Sequence, residues 1–194
     1  MLKIWNATNF RRTLGGLCLI VAPLAVIACL ASFGLTSISA SAAETHSNCA
    51  TFDNNGNIIS VVPNCSETQT VKNQTFSMPS ANPCSGALGI LTFNFTNSIL
   101  HITVNGASDV WLTQTQTGSI SFAPTDASQP SYSGHIATWF GGSLNKNNAV
   151  FHDTSNATLT GTDGSTITVH VVDHMSFSAS GIQNNFSLGG FSCG

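Results

Sequence analysis

The sequence predicts an all-β protein: an antiparallel up-and-down β-barrel of about eight strands, with a two-sheet β-sandwich as the alternative. Two observations lead to this prediction. From Cys84 onward, apolar and polar residues alternate with a period of two, and Gly, Asn, Asp and Pro separate the alternating runs. Helical periodicity is absent outside residues 1–42. Short connections favour a meander, and an even-numbered meander can close into a barrel without free edges.

Residues 1–42 have the shape of a secretion signal, which predicts an N-terminal signal helix. A basic start precedes residues 14–35, which carry no charge. The sequence Ala-Ser-Ala at 40–42 gives the small-x-small pattern of a signal-peptidase site. We therefore expect cleavage after Ala42 and a secreted, extracellular protein.

Two alternatives to a cleaved, secreted protein remain open. The apolar run approaches the roughly 20 residues that span a bilayer, so an uncleaved signal anchor is one of them. Cys29 ends a Val-Ile-Ala-Cys sequence that resembles a lipobox, so a membrane-anchored lipoprotein is the other. Without lipid at Cys29, we expect no membrane contact after cleavage.

Residues 43–83 are polar and irregular, and only residues 57–62 have the character of a strand. Cys49 and Cys65 bracket that strand, so a local bridge between them is the simplest pairing. We expect this segment to form an irregular N-terminal arm over a main domain at residues 84–194.

Closure of the barrel predicts the second disulfide. In an eight-stranded barrel the first and last strands lie side by side and antiparallel, so Cys84 and Cys193 would meet at one end. The four cysteines of the secreted part allow three pairings, and this geometry favours Cys84 with Cys193. The expected strands are residues 88–96, 98–105, 109–116, 118–123, 132–140, 149–160, 165–179 and 184–192.

Charge narrows the class of partner. After removal of the signal only Lys72 and Lys146 remain against eight carboxylates, a net charge of −6. Two cations cannot neutralise a row of phosphates, so nucleic acid is excluded as a partner. A small molecule or a glycan remains as the expected partner, and the sequence does not indicate the oligomeric state.

The hairpin of the sixth and seventh predicted strands fixes a register. Pairing Leu159 with Ile167 leaves a turn at residues 162–164, with Gly at the left-handed position. His152 then faces His174, with Cβ atoms about 5 Å apart, which is close enough to share a transition metal. Two surface imidazoles without a metal are the alternative, and no cofactor is otherwise expected.

The same register pairs Asp153 with Asp173 on the core side. Two carboxyls facing each other in a low-dielectric interior do not both ionise, so one would keep a proton and serve as a general acid. A bulge in the turn-prone residues 153–156 would instead place Asp153 in solvent.

Aromatic and amide side chains predict a ligand site at one end of the fifth strand. Trp139 precedes a loop that contains Asn145 and Asn147, and Trp111 adds a second aromatic ring. Aromatic rings and amides with little charge suit sugars or small apolar ligands. Core packing of the two tryptophans is the alternative.

The region from Cys84 onward resembles a group of uncharacterised small secreted β-rich proteins of filamentous soil bacteria. The matching segments are FTNSILHITV, PSYSGHIATWFGGSLNKNN, TGTDGSTITVHVVDHMSF and the terminal Cys193. The resemblance implies bacterial secretion and brings no known activity.

These observations together favour a secreted, non-catalytic module that binds a small ligand, a glycan or the cell envelope. The alternative is a barrel enzyme that uses Asp153 and Asp173, or a metal held by His152 and His174. No phosphate-binding loop and no hydrolase or zinc-protease motif is present in the sequence.

Overall fold

The computed structural model describes residues 47–52, 58–178 and 180–194, so the predicted signal at 1–42 lies outside the described residues. Every strand pair in the described part is antiparallel, which confirms the predicted all-β antiparallel class. None of these residues forms a helix of the length and apolar character needed to cross a membrane.

The described residues form a two-stranded sheet and a seven-stranded sheet. The small sheet pairs β1 (Ala50–Phe52) with β2 (Ile58–Val61), the segment that the sequence predicts as a strand. The large sheet is a meander in which each strand pairs with the next along the chain. Its strands are β3 (Cys65–Ala81), β4 (Leu88–Val104), β5 (Val110–Pro124), β6 (Tyr132–Leu144), β7 (Asn148–Gly161), β8 (Thr166–Ser178) and β9 (Gly181–Cys193).

The predicted closed barrel of eight strands is wrong, and so is the alternative of two packed sheets. The main sheet has seven strands, and no strand ladder joins β3 to β9 in the described residues. Because six antiparallel steps separate β3 from β9, the two edge strands run in the same direction. They therefore cannot pair as the antiparallel first and last strands of an even-numbered barrel.

Local irregularities explain the wrong strand count. A bulge at Thr96 lies between the pairs Phe95–Gly118 and Asn97–Thr117, so the alternation changes phase within β4 and looks like two strands. In β5, the inward positions 114 and 116 are both Gln, which interrupts the apolar alternation.

Strand β3 lies in the segment expected to be an irregular arm. The sequence gives no apolar alternation over its first half because Glu67 and Gln69 occupy positions that pair with apolar residues of β4. Apolar side chains return only at Phe76 and Met78, which pack against the core. The arm is therefore shorter than predicted and ends where β3 begins.

The seven-stranded sheet is strongly curled, and a disulfide joins its two ends. Five interstrand steps separate β4 from β9, which would place them about 24 Å apart in a flat sheet. The bridge between Cys84, just before β4, and Cys193, at the end of β9, brings their Cα atoms within 5.9 Å. The second bridge joins Cys49 to Cys65 and ties the β1–β2 hairpin to β3. Both predicted disulfides are confirmed.

The inner face of the curled sheet forms two apolar clusters. The first joins side chains from β3 through β8, including Phe76, Phe95 and Ile167, so the curl brings distant strands into one core. The second lies beside the β1–β2 hairpin and is centred on Ile102 and Leu112. Buried polar side chains lie on the same face between these clusters, namely Ser98, Gln116, Thr138 and Ser155.

Candidate binding face

The outer face of the sheet, opposite the core, carries no charged side chain from β4 to β9 among the described residues. Thr, Ser and Asn dominate these positions. The charged groups lie elsewhere, such as Lys72 on β3, Lys146 in a turn and Asp153 on the inner face. All five described histidines lie on the uncharged face, namely His101, His135, His152, His170 and His174.

Three rings lie in a row across β7 to β9, and the indole of Trp139 on β6 extends toward them. We call these four side chains the ring row: Trp139, His152, His174 and Phe186. The ring centroids of His152 and His174 are 4.3 Å apart. Phe186 stacks on His174, with centroids 5.1 Å apart and planes 22° from parallel. The ring row is exposed at both ends, since Trp139 and Phe186 keep 41% and 45% of their surface accessible.

Trp139 joins the ring row because its indole lies over Gly141. A Cβ atom at Gly141 would overlap the six-membered ring of that indole, so only glycine leaves the space. Gly141 pairs with His152 in the β6–β7 ladder. The missing side chain of Gly141 thus lets the indole of Trp139 extend toward the two histidines.

Phe186 and Gly141 are the members of this site that sequence reasoning missed. Phe186 pairs with His174 in the β8–β9 ladder. A register for that hairpin would have identified Phe186, but the sequence between β8 and β9 has no turn signal as clear as Asp163-Gly164.

The other predicted ligand-binding residues are only partly brought together. Trp111 is exposed at 43% on the same face, one row of side chains away from the ring row. Asn145 lies in the β6–β7 turn, where its Oδ1 accepts hydrogen bonds from the backbone N–H groups of Asn147 and Asn148, both at 2.9 Å. Asn145 therefore stabilises the turn, and Asn147 lies exposed beside it.

A cleft of about 830 Å³ opens on the same uncharged face. Its accessible lining is mostly apolar, and it includes hydroxyl, amide and imidazole groups such as those of Asn156, Thr158 and His170. His170 Nδ1 lies 2.6 Å from Asn156 Oδ1, which can only accept, so His170 donates through Nδ1. The cleft thus offers both donors and acceptors without charge.

The two predicted metal ligands are neighbours, as the register of the hairpin requires. His152 pairs with His174 in the β7–β8 ladder, and Gly164 of the connecting turn has a φ of 87°. Their Nδ1 atoms are 3.1 Å apart. The described residues contain no group of three or more His, Cys, Asp or Glu side chains that could hold a metal ion.

The two predicted acids also face each other, on the inner side of the same hairpin. Asp153 pairs with Asp173, and both side chains are half-buried. Burial, and secondarily the negative charge of Asp173, raises the pKa of Asp153 to about 7. The alternative of a bulge at residues 153–156 is not found, because pairing with β8 is continuous there, so Asp153 lies on the inner face.

Comparison of the chain with protein-family models, with curated proteins and with solved structures gives no match.

Proposed function

We propose that this protein is a secreted, non-catalytic binding module whose uncharged outer face takes a neutral, hydroxyl-rich ligand of the glycan class. The observation that carries the proposal is the ring row on a sheet face without charged side chains. The two disulfides are consistent with an extracellular protein, since such bonds persist in oxidising compartments.

The chemistry of the face fits a neutral sugar better than a charged organic ligand or a lipid. Sugar rings have apolar C–H faces that lie against aromatic rings, and a rim of hydroxyl groups that exchange hydrogen bonds with polar side chains. Trp139 and Phe186 offer the flat surfaces, and the neighbouring cleft offers Asn156, Thr158 and His170. A charged ligand would find no opposite charge on the part of this face that β4 to β9 form.

The position of Trp139 connects the two parts of the site. Its backbone lies one row of side chains from the cleft residue Ala137, and its indole extends over Gly141 into the ring row. One extended ligand could therefore contact the cleft, the indole and Phe186 in turn.

A glycan array probed with the purified protein, followed by calorimetry on each hit, tests the proposal. We expect at least one neutral glycan to bind, and Trp139→Ala to weaken its binding at least tenfold because the stacking surface is lost. Ile90→Ala serves as the control, since Ile90 is also 41% exposed on this face but lies away from the ring row. Absence of binding by any neutral glycan, or full affinity in Trp139→Ala, contradicts the proposal.

A second candidate function, an enzyme with Asp153 as general acid, is favoured by one observation. The raised pKa of Asp153 gives a carboxyl that holds and releases a proton near neutral pH, as acid catalysis requires. Its substrate would have to reach the inner face of the sheet, where Asp153 lies, and not the outer face that carries the ring row. Hydrolysis of a glycan by the wild type that is lost in Asp153→Asn but kept in Trp139→Ala would support this candidate, and absence of hydrolysis of any glycan by the wild type would reject it.

A further inference from the structure

We propose that His152 and His174 form a two-nitrogen site for a divalent late transition metal ion, and that this site binds Cu²⁺ more tightly than Zn²⁺. The inference is independent of the glycan proposal, because it concerns the free metal ion. It rests on the distance between the two Nδ1 atoms and on the support of the pair by the β7–β8 ladder and by Phe186.

The distance between the two nitrogens matches what one metal ion requires. Imidazole nitrogen lies about 2.0–2.1 Å from Zn²⁺, and similar distances hold for Cu²⁺. Two such nitrogens are about 2.9 Å apart at a right angle and about 3.3 Å apart at a tetrahedral angle. The observed Nδ1–Nδ1 distance of 3.1 Å lies between these values. The pair could therefore bind an ion with little movement of either strand.

The backbones of both histidines, and the ring of His174, are held in place before any ion binds. His152 and His174 lie on strands that are hydrogen-bonded to each other, so their backbones are fixed by the ladder. Phe186 stacks on the imidazole of His174 and limits its rotation. Pre-organised ligands lose less conformational freedom on binding, which increases affinity.

The other described histidines offer no comparable pair. His170 is hydrogen-bonded to Asn156, and His101 lies between the hydroxyls of Thr68 and Thr103, at 2.8 and 3.1 Å from its two ring nitrogens. His135 pairs with Ser119 and Thr158 in the flanking ladders, so it has no imidazole directly beside it. Among the described residues, only His152 and His174 bring two imidazole nitrogens within reach of one ion.

Two protein nitrogens leave the remaining coordination positions to water or to a small exchangeable ligand. The carboxyls of Asp153 and Asp173 lie on the opposite face of the sheet and do not complete the site. The affinity should therefore be lower than that of a closed four-ligand zinc site. Because affinities for nitrogen ligands rise toward copper in the first-row series, Cu²⁺ should bind more tightly than Zn²⁺.

Binding also requires a defined tautomer. In the metal-free pair one Nδ1–H donates to the lone pair of the other Nδ1, so neither nitrogen has a free lone pair until this hydrogen bond is broken. The bound ion takes both Nδ1 lone pairs, and each ring then carries its hydrogen on Nε2. Coordination thus replaces the hydrogen bond between the rings, and no oxidation or reduction is involved.

The experiment is a titration of the protein with Cu²⁺ and Zn²⁺ salts, followed by calorimetry and by electron paramagnetic resonance of the copper form. All variants carry His46→Ala, so that the five described histidines are the only ones in the chain. We expect one Cu²⁺ per chain with the resonance signature of two coordinated nitrogens. His152→Ala and His174→Ala should each lower the affinity at least tenfold and abolish the two-nitrogen signature.

His135→Ala is the matched control, because it removes an exposed histidine from the same face and should leave affinity and signature unchanged. Circular dichroism of each variant establishes that it is folded before it is titrated. Wild-type affinity in His152→Ala, equal losses in His135→Ala and His152→Ala, or no ion bound at millimolar Cu²⁺ would each overturn the proposal.

Discussion

Asp153 lies directly opposite Asp173 on the inner face of the β7–β8 hairpin, back to back with the His152–His174 pair on the outer face. Two consecutive ladder positions thus place a pair of acids on one side of the sheet and a pair of imidazoles on the other. The alternation of side chains along a strand produces this separation. The acid pair and the imidazole pair can therefore be changed separately by substitution.

The acid pair predicts an unusual dependence of stability on pH. The pKa of Asp153 is about 7 in the folded protein and returns toward 3.8 on unfolding. Between these values the folded state binds more protons, so the free energy of unfolding falls as the pH rises from about 4 to about 7. The three-unit shift corresponds to about 4 kcal/mol as an upper bound, and partial exposure reduces this to about 1–2 kcal/mol.

The variant Asp153→Asn isolates this effect. It should be more stable than the wild type at pH 8, because no buried carboxyl must ionise, and the advantage should disappear toward pH 4. Urea unfolding of both proteins across this range measures the difference, in which contributions from the histidines cancel. Asp173→Asn is the companion variant and removes the smaller, charge-based part of the shift. A constant difference between wild type and Asp153→Asn at all pH values would contradict the prediction.

The two disulfides should contribute unequally to stability. The Cys84–Cys193 bridge spans 109 residues and the Cys49–Cys65 bridge spans 16. In the chain-entropy model their contributions are roughly 4–5 and about 3 kcal/mol, because the longer loop loses more freedom in the unfolded chain. Replacing each pair by serine and measuring urea unfolding should therefore show the larger loss for Cys84/Cys193. Equal losses would show that loop length does not govern their effect.

The sequence alone predicted local relations within this fold well. The register that pairs His152 with His174 and Asp153 with Asp173 followed from one turn and one apolar pairing, and the structure has that register. The sequence also predicts both disulfides, although it predicts the bridge between Cys84 and Cys193 through a closed barrel that the structure does not contain. In the seven-stranded sheet, the curl places these two cysteines together.

Strand count and the complete site were not accessible from the sequence, for physical reasons. A bulge such as the one at Thr96 changes which residues face inward without any change in composition. The pattern of apolar and polar residues then looks like the end of one strand and the start of another. Polar side chains on the inner face, such as Glu67 and Gln116, concealed β3 and divided β5. Phe186 joined the ring row only once the pairing of β8 with β9 was known.

The buried polar side chains between the two cores should matter for stability. Gln116 is 3% exposed, donates to Ser98 Oγ and accepts from Thr138 Oγ1, each at 3.3 Å. Gln116→Ala leaves Thr138 without this partner and opens a cavity, which should lower the free energy of unfolding by about 2–3 kcal/mol. Gln114→Ala is the control, since Gln114 is less buried and donates to the same Ser98. We expect it to cost less than about 1 kcal/mol, and a larger loss than in Gln116→Ala would contradict this prediction.

Gly134 is required by the close approach of β6 to β7. A Cβ atom at this position would overlap the backbone carbonyl oxygen of Thr158, which cannot move without disturbing the ladder. Gly134→Ala should therefore destabilise the protein by about 2–3 kcal/mol through overpacking.

Gly190→Ala is the matched control, because a Cβ atom there meets no atom within 4 Å. Gly190→Ala should be neutral or slightly stabilising in thermal unfolding, by up to about 1 kcal/mol, since alanine restricts the unfolded chain. Similar melting temperatures for the two variants would show that β6 and β7 can separate enough to admit a methyl group.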